Sequence, residues 1–266
     1  EGLFARTTAL DVSGTDPIPE GPLRVELDDV VFGYDDDIVL DGVTLDLEAG
    51  HVLGVLGRSG SGKTTMARLL TRLYDPAGGS VRLGGVEIRG DEIHSLRRHV
   101  GMVTQDVQLF RATIRENLTF FDESIPDSKL LDVLEELGLS EWLASMPDGL
   151  DTRLEAAGAG LSAGQAQLLA FTRIFLEDPG LVILDEASSR LDPVTERLIE
   201  RAVDRLLHNR TGIIIAHRLA TVVRADEILI LEDGQVVEYG PRQALSDDPD
   251  SRLSQLLITG MEEVLA

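Results

Sequence analysis

The chain has 266 residues, 43% of them hydrophobic, with 47 acidic against 24 basic side chains and no cysteine. This is ample apolar material for one large core or two small ones. Without a thiol there are no disulfides, no thiol catalysis and no cysteine-ligated zinc. A formal charge of −23 argues against a surface for duplex nucleic acid or for anionic lipid, since both need clustered Lys and Arg.

Residues 1–22 carry Pro17, Pro19 and Pro22 among small polar side chains and read as a tether with little to bury. They lack the apolar core of a secretory signal. They open on Glu rather than Met, so the expectation is a start inside a longer polypeptide. RVELDDVVFGY and VLDGVTLDLEAG then alternate as two antiparallel strands about the acidic turn at Asp35 to Asp37. HVLGVLG reads as a buried strand, followed by a glycine-rich turn and a helix through TTMARLLTRLY, the opening of an α/β unit. SVRLGGVEI contains two short strands, and HVGMVTQ another core strand ending at Gln105.

Beyond Gln105 the pattern turns helical over 113–146 and 164–177, with Leu130, Leu131, Leu134 and Leu137 assigned to one face. A helical subdomain over about 106–178, inserted between core strands, is therefore expected. LVILDE returns to a buried strand, a helix follows from Pro193 to about Leu207, and TGIIIAH is the next core strand. EILILEDGQVVEYG forms a hairpin about Asp233-Gly234. No apolar run approaches the roughly 18 residues of a membrane-spanning helix. The predicted fold is α/β, a P-loop core with an antiparallel β subdomain and an inserted helical one, over 23–266.

Gly57-Arg58-Ser59-Gly60-Ser61-Gly62-Lys63-Thr64 matches the glycine-rich phosphate loop in full, between a predicted strand and a predicted helix. The glycines let backbone N–H groups curl around an anion at the positive end of the helix. Lys63, one of only two lysines, brings charge to the terminal phosphates, and Thr64 offers a hydroxyl to Mg²⁺. Thr65 follows directly and is grouped with the nucleotide-binding residues. At Leu181 to Glu186 four apolar residues deliver two carboxylates to the sheet's mouth: Asp185 for Mg²⁺ and Glu186 to polarise an attacking water. At Leu161-Ser162-Ala163-Gly164-Gln165, Ser162 and Gln165 have capping-box spacing. The local reading is a well-capped helix. The functional reading is a second phosphate platform, which serves an ATP held by another subunit.

In this order, the Gly57 to Thr64 loop, the Gln105 strand end, LSAGQ at 161–165, LVILDE at 181–186, SRLD at 189–192 and His217 resemble the nucleotide-binding domain of ABC transporters, most closely the exporter type. FRATIRENL at 110–118 resembles the exporter segment near the membrane domain's coupling helices, and residues 1–22 the tether from the last transmembrane helix. The resemblance implies a Mg²⁺-dependent ATPase that drives export by sandwiching ATP in a dimer. By the same resemblance Tyr34 stacks on adenine, and Gln105 reaches Mg²⁺ and the attacking water. Ser189 and Asp192 cross the dimer interface, and His217 contacts the γ-phosphate and holds Glu186 and water in line. The implied partners are a membrane domain fused upstream and a second nucleotide-binding domain, at the cytoplasmic side of the cell membrane, with no nucleic acid. The transported small molecule, lipid or peptide contacts the membrane domain.

The chain departs from the family's LSGGQ pattern: Ala163 replaces a glycine and Ala166 the usual basic residue. A left-handed Ala163 would cost about 1–2 kcal/mol, and a negative φ would remove that cost. DTRLEAAGAG at 151–160 is a further departure, with Glu155 as its remaining interface acid. One half of a heterodimeric exporter and an alanine-tolerant homodimer both fit. The rival functions are an importer ATPase, a soluble ATPase of the same superfamily, and a binding-only module that Glu186 and His217 disfavour.

Overall fold

The protein is described by a computed structural model over residues 17–35, 37–90, 93–104, 107–155, 161–185, 193–216 and 222–259. Alternation in the first segments builds a small antiparallel sheet. β1 (Val25–Tyr34) pairs with β2 (Asp37–Leu47) in the register Val25 to Leu47, and on its other edge with β4 (Gly78–Leu83), which carries β5 (Val86–Glu87). Val25, Leu27, Val30 and Phe32 all face inward.

The second sheet has six strands. β3 (Val52–Leu56), β6 (Val100–Val103), β7 (Leu181–Asp185), β8 (Thr211–Ile215), β9 (Glu227–Glu232) and β10 (Gln235–Pro241) take the order β10-β9-β3-β8-β7-β6. The pairs from β9 through β6 are parallel and β10 closes one edge antiparallel. The apolar runs read in the sequence follow from burial on both faces. Leu53, Val55, Ile183, Ile213 and Leu229 pack with the small sheet and with helix α1 (Lys63–Leu70). Their neighbours Leu56, Val182, Leu184, Ile214 and Ile230 pack into a second core with the helices.

A short helix α2 (Ile93–His99), absent from the sequence reading, leads into β6. Four helices follow between β6 and β7: α3 (Ile114–Thr119), α4 (Asp127–Glu136), α5 (Ser140–Ala144) and α6 (Ala163–Glu177). Helix α7 (Pro193–Leu207) precedes β8, and α8 (Arg242–Asp247) and α9 (Arg252–Thr259) follow β10. One expected face needs correction. Leu130, Leu134 and Leu137 are buried, whereas Leu131 is exposed. Residue 131 sits about 100° around the helix from 130, off the i, i+4, i+7 stripe, and Val133 takes the inward place instead.

Candidate nucleotide-binding site

The strands β3, β6, β7 and β8 run parallel, so their carboxyl ends share one edge of the sheet, where ligands of open α/β sheets bind. From β3 the chain turns through Gly57 to Gly62 and enters α1. Gly62 sits at the helix N-cap with φ 106° and no side chain caps the helix, so its first amides remain available. A Cβ there would lie 2.6 Å from Leu40 Cδ2 and 3.0 Å from the Val39 carbonyl oxygen, which only glycine avoids. Gly60, at φ 83°, has nothing within 4 Å of the place a Cβ would take.

Inside the turn, the Ser61 amide donates to the Arg58 carbonyl at 3.1 Å. Ser61 Oγ is buried without a hydrogen-bond partner among the described residues. A buried orphan hydroxyl is costly, and here it lies in a loop with uncapped amides and open space at Gly60. The residues present therefore fit a phosphate chain. Lys63 is only 5% exposed, and its Nζ donates to the Gly57 and Arg58 carbonyls at 2.6 and 2.8 Å. Burial holds its ammonium below the usual lysine range, against the pull of the Asp185 carboxylate. The side chain is thus folded back on its own loop, beside the place where an anion would restore its charge balance.

The tertiary fold brings Thr64, on the first turn of α1, to Asp185 at the end of β7, with Thr64 Oγ1 and Asp185 Oδ2 3.5 Å apart. A hydroxyl and a carboxylate oxygen are the hard donors Mg²⁺ takes, with its remaining positions left to phosphate and water. Arg58 and Ser59 lie on the exposed side of the loop. Thr65 is buried, its Oγ1 3.5 Å from Tyr34 Oη. Tyr34 accepts a 3.0 Å hydrogen bond from Arg68 of α1, a partner that sequence reasoning missed. Phe32 and Tyr74 stand edge-on to its ring. Burial pushes the Tyr34 phenol up, but the hydrogen bonds from Thr65 and Arg68 and the Arg68 charge outweigh it and leave it lowered.

Ser162 caps α6. Its Oγ accepts from the Gln165 amide at 3.2 Å, and Gln165 Oε1 accepts from the Ser162 amide at 2.9 Å. The capping box leaves the Ala163 and Gly164 amides without intrahelical acceptors. Ser162 and Ala163 are exposed and Gly164 is buried. Ala163 is the first helical residue and is not among the residues of positive φ, so the left-handed cost does not arise.

Gln105, Glu186, Ser189, Asp192 and His217 lie outside the described residues. The strands that precede Gln105, Glu186 and His217 in the sequence are register neighbours: Val103 pairs with Leu184, and Asp185 with Ile215. Two further residues escaped the sequence reading, Asn117 and Arg173. The signal available was an arginine within the otherwise uncharged QLLAFTRIFL of α6.

A family model described as ABC transporter matches residues 40–189, more than half of the chain. The chain belongs to the ABC transporter family. Its architecture is the P-loop NTPase fold of ABC ATPases, with a mixed α/β core and an antiparallel subdomain. The ABC domain is similar to the mycobactin import ATP-binding/permease protein IrtA of Mycolicibacterium smegmatis. The two are 41% identical over 248 residues, which cover 93% of this chain and 29% of the relative. An ATP-dependent lipid A-core flippase of Idiomarina loihiensis is 41% identical over 226 residues, 84% of this chain and 39% of the flippase. Among solved structures, a bacterial Atm1-family ABC exporter with ATP bound superimposes with a TM-score of 0.82 at 33% identity. That match covers 92% of this chain and 44% of the exporter. The chain thus spans less than half the length of each of these relatives.

Proposed function

We propose that this ABC ATPase domain powers a membrane exporter by hydrolysing ATP at sites shared between two such domains. The observation that carries the reading is the pair of helix ends. The Gly57 to Thr64 loop surrounds the start of α1 with donors, and the capped start of α6 stands exposed at Ser162 with two amides to spare. In the shared site, Lys63 and the loop amides of one domain hold the phosphates while the α6 end of the other meets the γ-phosphate. Tyr34 supports the adenine.

Mg²⁺ held by Thr64 and Asp185, with Gln105, supplies charge neutralisation on the phosphate oxygens. Glu186 orients and polarises a water, and His217 keeps that water in line with the γ-phosphorus. The water oxygen bonds to phosphorus as the bridging oxygen to the β-phosphate leaves with its electron pair. Ser189 and Asp192 carry the state of one site to the other across the interface. ATP closes the pair and hydrolysis reopens it.

A membrane domain, continuous with residues 1–22, is the proposed recipient of this motion, which places the ABC domain on the cytoplasmic face of the cell membrane. Three phenylalanines support such a partner. Phe110, Phe120 and Phe121 are 45%, 50% and 53% exposed, and the ring of Phe110 lies 6.2 and 5.7 Å from those of Phe120 and Phe121. A clustered aromatic surface of this kind marks an interaction face. Relatives of equal identity carry import and flippase names, so the export direction rests on the structural match rather than on the ATPase residues. The helical conformation of Ala163 removes the backbone reason for a weakened signature. We therefore favour two like subunits over a heterodimer. Equal hydrolysis at both sites, measured after disabling each in turn, is the corresponding expectation.

The test is vanadate trapping in the full-length transporter. Trapped nucleotide should survive washing in the wild type and be lost in Glu186→Gln, while ATP binding persists. Trapping that is indifferent to both Glu186→Gln and Ser162→Ala would overturn the shared-site reading.

A further inference from the structure

Arg173, three turns along α6 from Ser162 and only 7% exposed, is held unlike an ordinary buried cation. Its fork is filled by amide and carbonyl oxygens. Nε donates to the Asn117 carbonyl at 2.6 Å, Nη1 to the Gln108 carbonyl at 2.8 Å and Nη2 to Asn117 Oδ1 at 3.1 Å. The guanidinium carbon lies 4.7 Å from the centre of the Phe120 ring, within the range of a cation–π contact. Burial pulls the guanidinium below its usual range, against the charge of Glu177. Neutral oxygens in place of a carboxylate are a poor way to stabilise a buried charge. They are a good way to fix three directions at once, which a lysine's single nitrogen cannot do.

Each of those acceptors belongs to the exposed aromatic face. Asn117 is fully buried, accepts the Phe110 amide at 2.8 Å, and donates to the Phe110 and Thr113 carbonyls at 3.0 Å each. Phe120 and Phe121 have φ of 49° and 67°, consecutive left-handed positions that bulky side chains rarely occupy. Strain of this kind persists only where the surroundings hold it, and Arg173 lies over the first of the two rings. A second connection runs in parallel. Thr113 bridges Arg153, the Ile114 amide donates to the Thr152 carbonyl at 2.9 Å, and the Leu154 amide donates to the Ala112 carbonyl at 2.8 Å. The aromatic face is therefore bonded both to α6 and to the segment that precedes α6 in the chain.

We propose that Arg173 is a positioning residue that couples the Phe110, Phe120 and Phe121 face to the Ser162 end of α6, so that a partner moving the face moves the signature helix. The proposal rests on the shared-site reading above. A rigid helix displaced at its third turn carries its first turn with it, and that first turn is the part proposed to meet the γ-phosphate.

The experiment is hydrogen exchange on the full-length, membrane-embedded transporter, with and without MgATP and vanadate, in the wild type and in Arg173→Lys. Trapping in the wild type should slow exchange about tenfold both in residues 162–170 and in residues 108–121. In R173K the response of 162–170 should remain and that of 108–121 should fall to about twofold or less. A purely structural role would speed exchange in both nucleotide states and leave the trapping-induced ratio intact. R173K with both responses preserved overturns the proposal alone, as does a wild type that responds only at 162–170. A wild type with no response at 162–170 overturns the shared-site reading and the proposal with it. If R173K does not assemble, Phe120→Leu, which keeps apolar volume and removes the ring beneath the guanidinium, is read by the same criteria.

Discussion

Replacing Gly62 by alanine separates the two demands made on the phosphate loop. The residue has φ 106°, where a Cβ costs about 1–2 kcal/mol. That Cβ would also lie 2.6 Å from Leu40 Cδ2 and 3.0 Å from the Val39 carbonyl oxygen. Leu40 is fully buried in the core beneath the small sheet, so it cannot swing into solvent to make room. Overpacking of this kind adds about 1–3 kcal/mol, for a total near 2–5 kcal/mol. Gly60→Ala is the matched comparison. Its φ of 83° carries the same backbone cost, but its methyl would meet nothing within 4 Å, so the loss should stay near 1–2 kcal/mol. Urea unfolding of the two variants, followed by circular dichroism, should place Gly62→Ala at the lower midpoint with little change in slope. Titration with MgATP should show that Gly60→Ala loses affinity out of proportion to its stability, because its methyl occupies the open side of the loop. A Gly62→Ala protein no less stable than Gly60→Ala would refute the packing argument.

Two further outcomes are expected. Ser162→Ala removes the side-chain acceptor of the Gln165 amide and should cost about 1 kcal/mol, some 2–4 °C in Tm. Ser162→Thr should restore the cap, and vanadate trapping in the transporter should follow the hydroxyl; full trapping by the alanine variant would confine Ser162 to capping. His51 Nδ1 lies 3.1 Å from Glu227 Oε1, and that bond raises the imidazole pKa, aided by the charges of Asp226, Glu227 and Glu48 against a small loss from burial. Tyr239 shares Glu227 through a 2.5 Å hydrogen bond. Because the folded value lies above the unfolded one, this stabilisation is complete below about pH 6.5 and fades as pH rises through the raised value. Thermal scans across that window should show His51→Gln flattening the wild-type slope by under about 2 °C, since the pair is largely solvated. An unchanged slope would count against the pair.

Much of the site was legible from local pattern. The loop from Gly57 to Thr64 sits between a buried strand and a helix, as its spacing requires, and Ser162 with Gln165 forms the capping box that their spacing implied. Both are short-range features, in which a few adjacent dihedrals and one or two hydrogen bonds decide the outcome. Leu131 was misplaced for a related reason: leucine content alone does not say which side of a helix faces the core, and the angular position of 131 leaves it exposed beside buried Leu130.

What the amino-acid sequence determined by itself is the local grammar: apolar runs that become two-faced strands, a turn only glycines can close, and a helix start that keeps amides free. What the tertiary structure decided is which of these pieces meet. The insertion of β8 between β3 and β7 sets the distance at which Thr64 faces Asp185, 121 positions later in the chain. Packing of α3 on α6 makes Arg173 a buried fork rather than a solvated charge, and it leaves Ala163 in helical geometry. Periodicity reports conformation over one or two turns, whereas strand order and helix docking are set by burial summed over the whole chain.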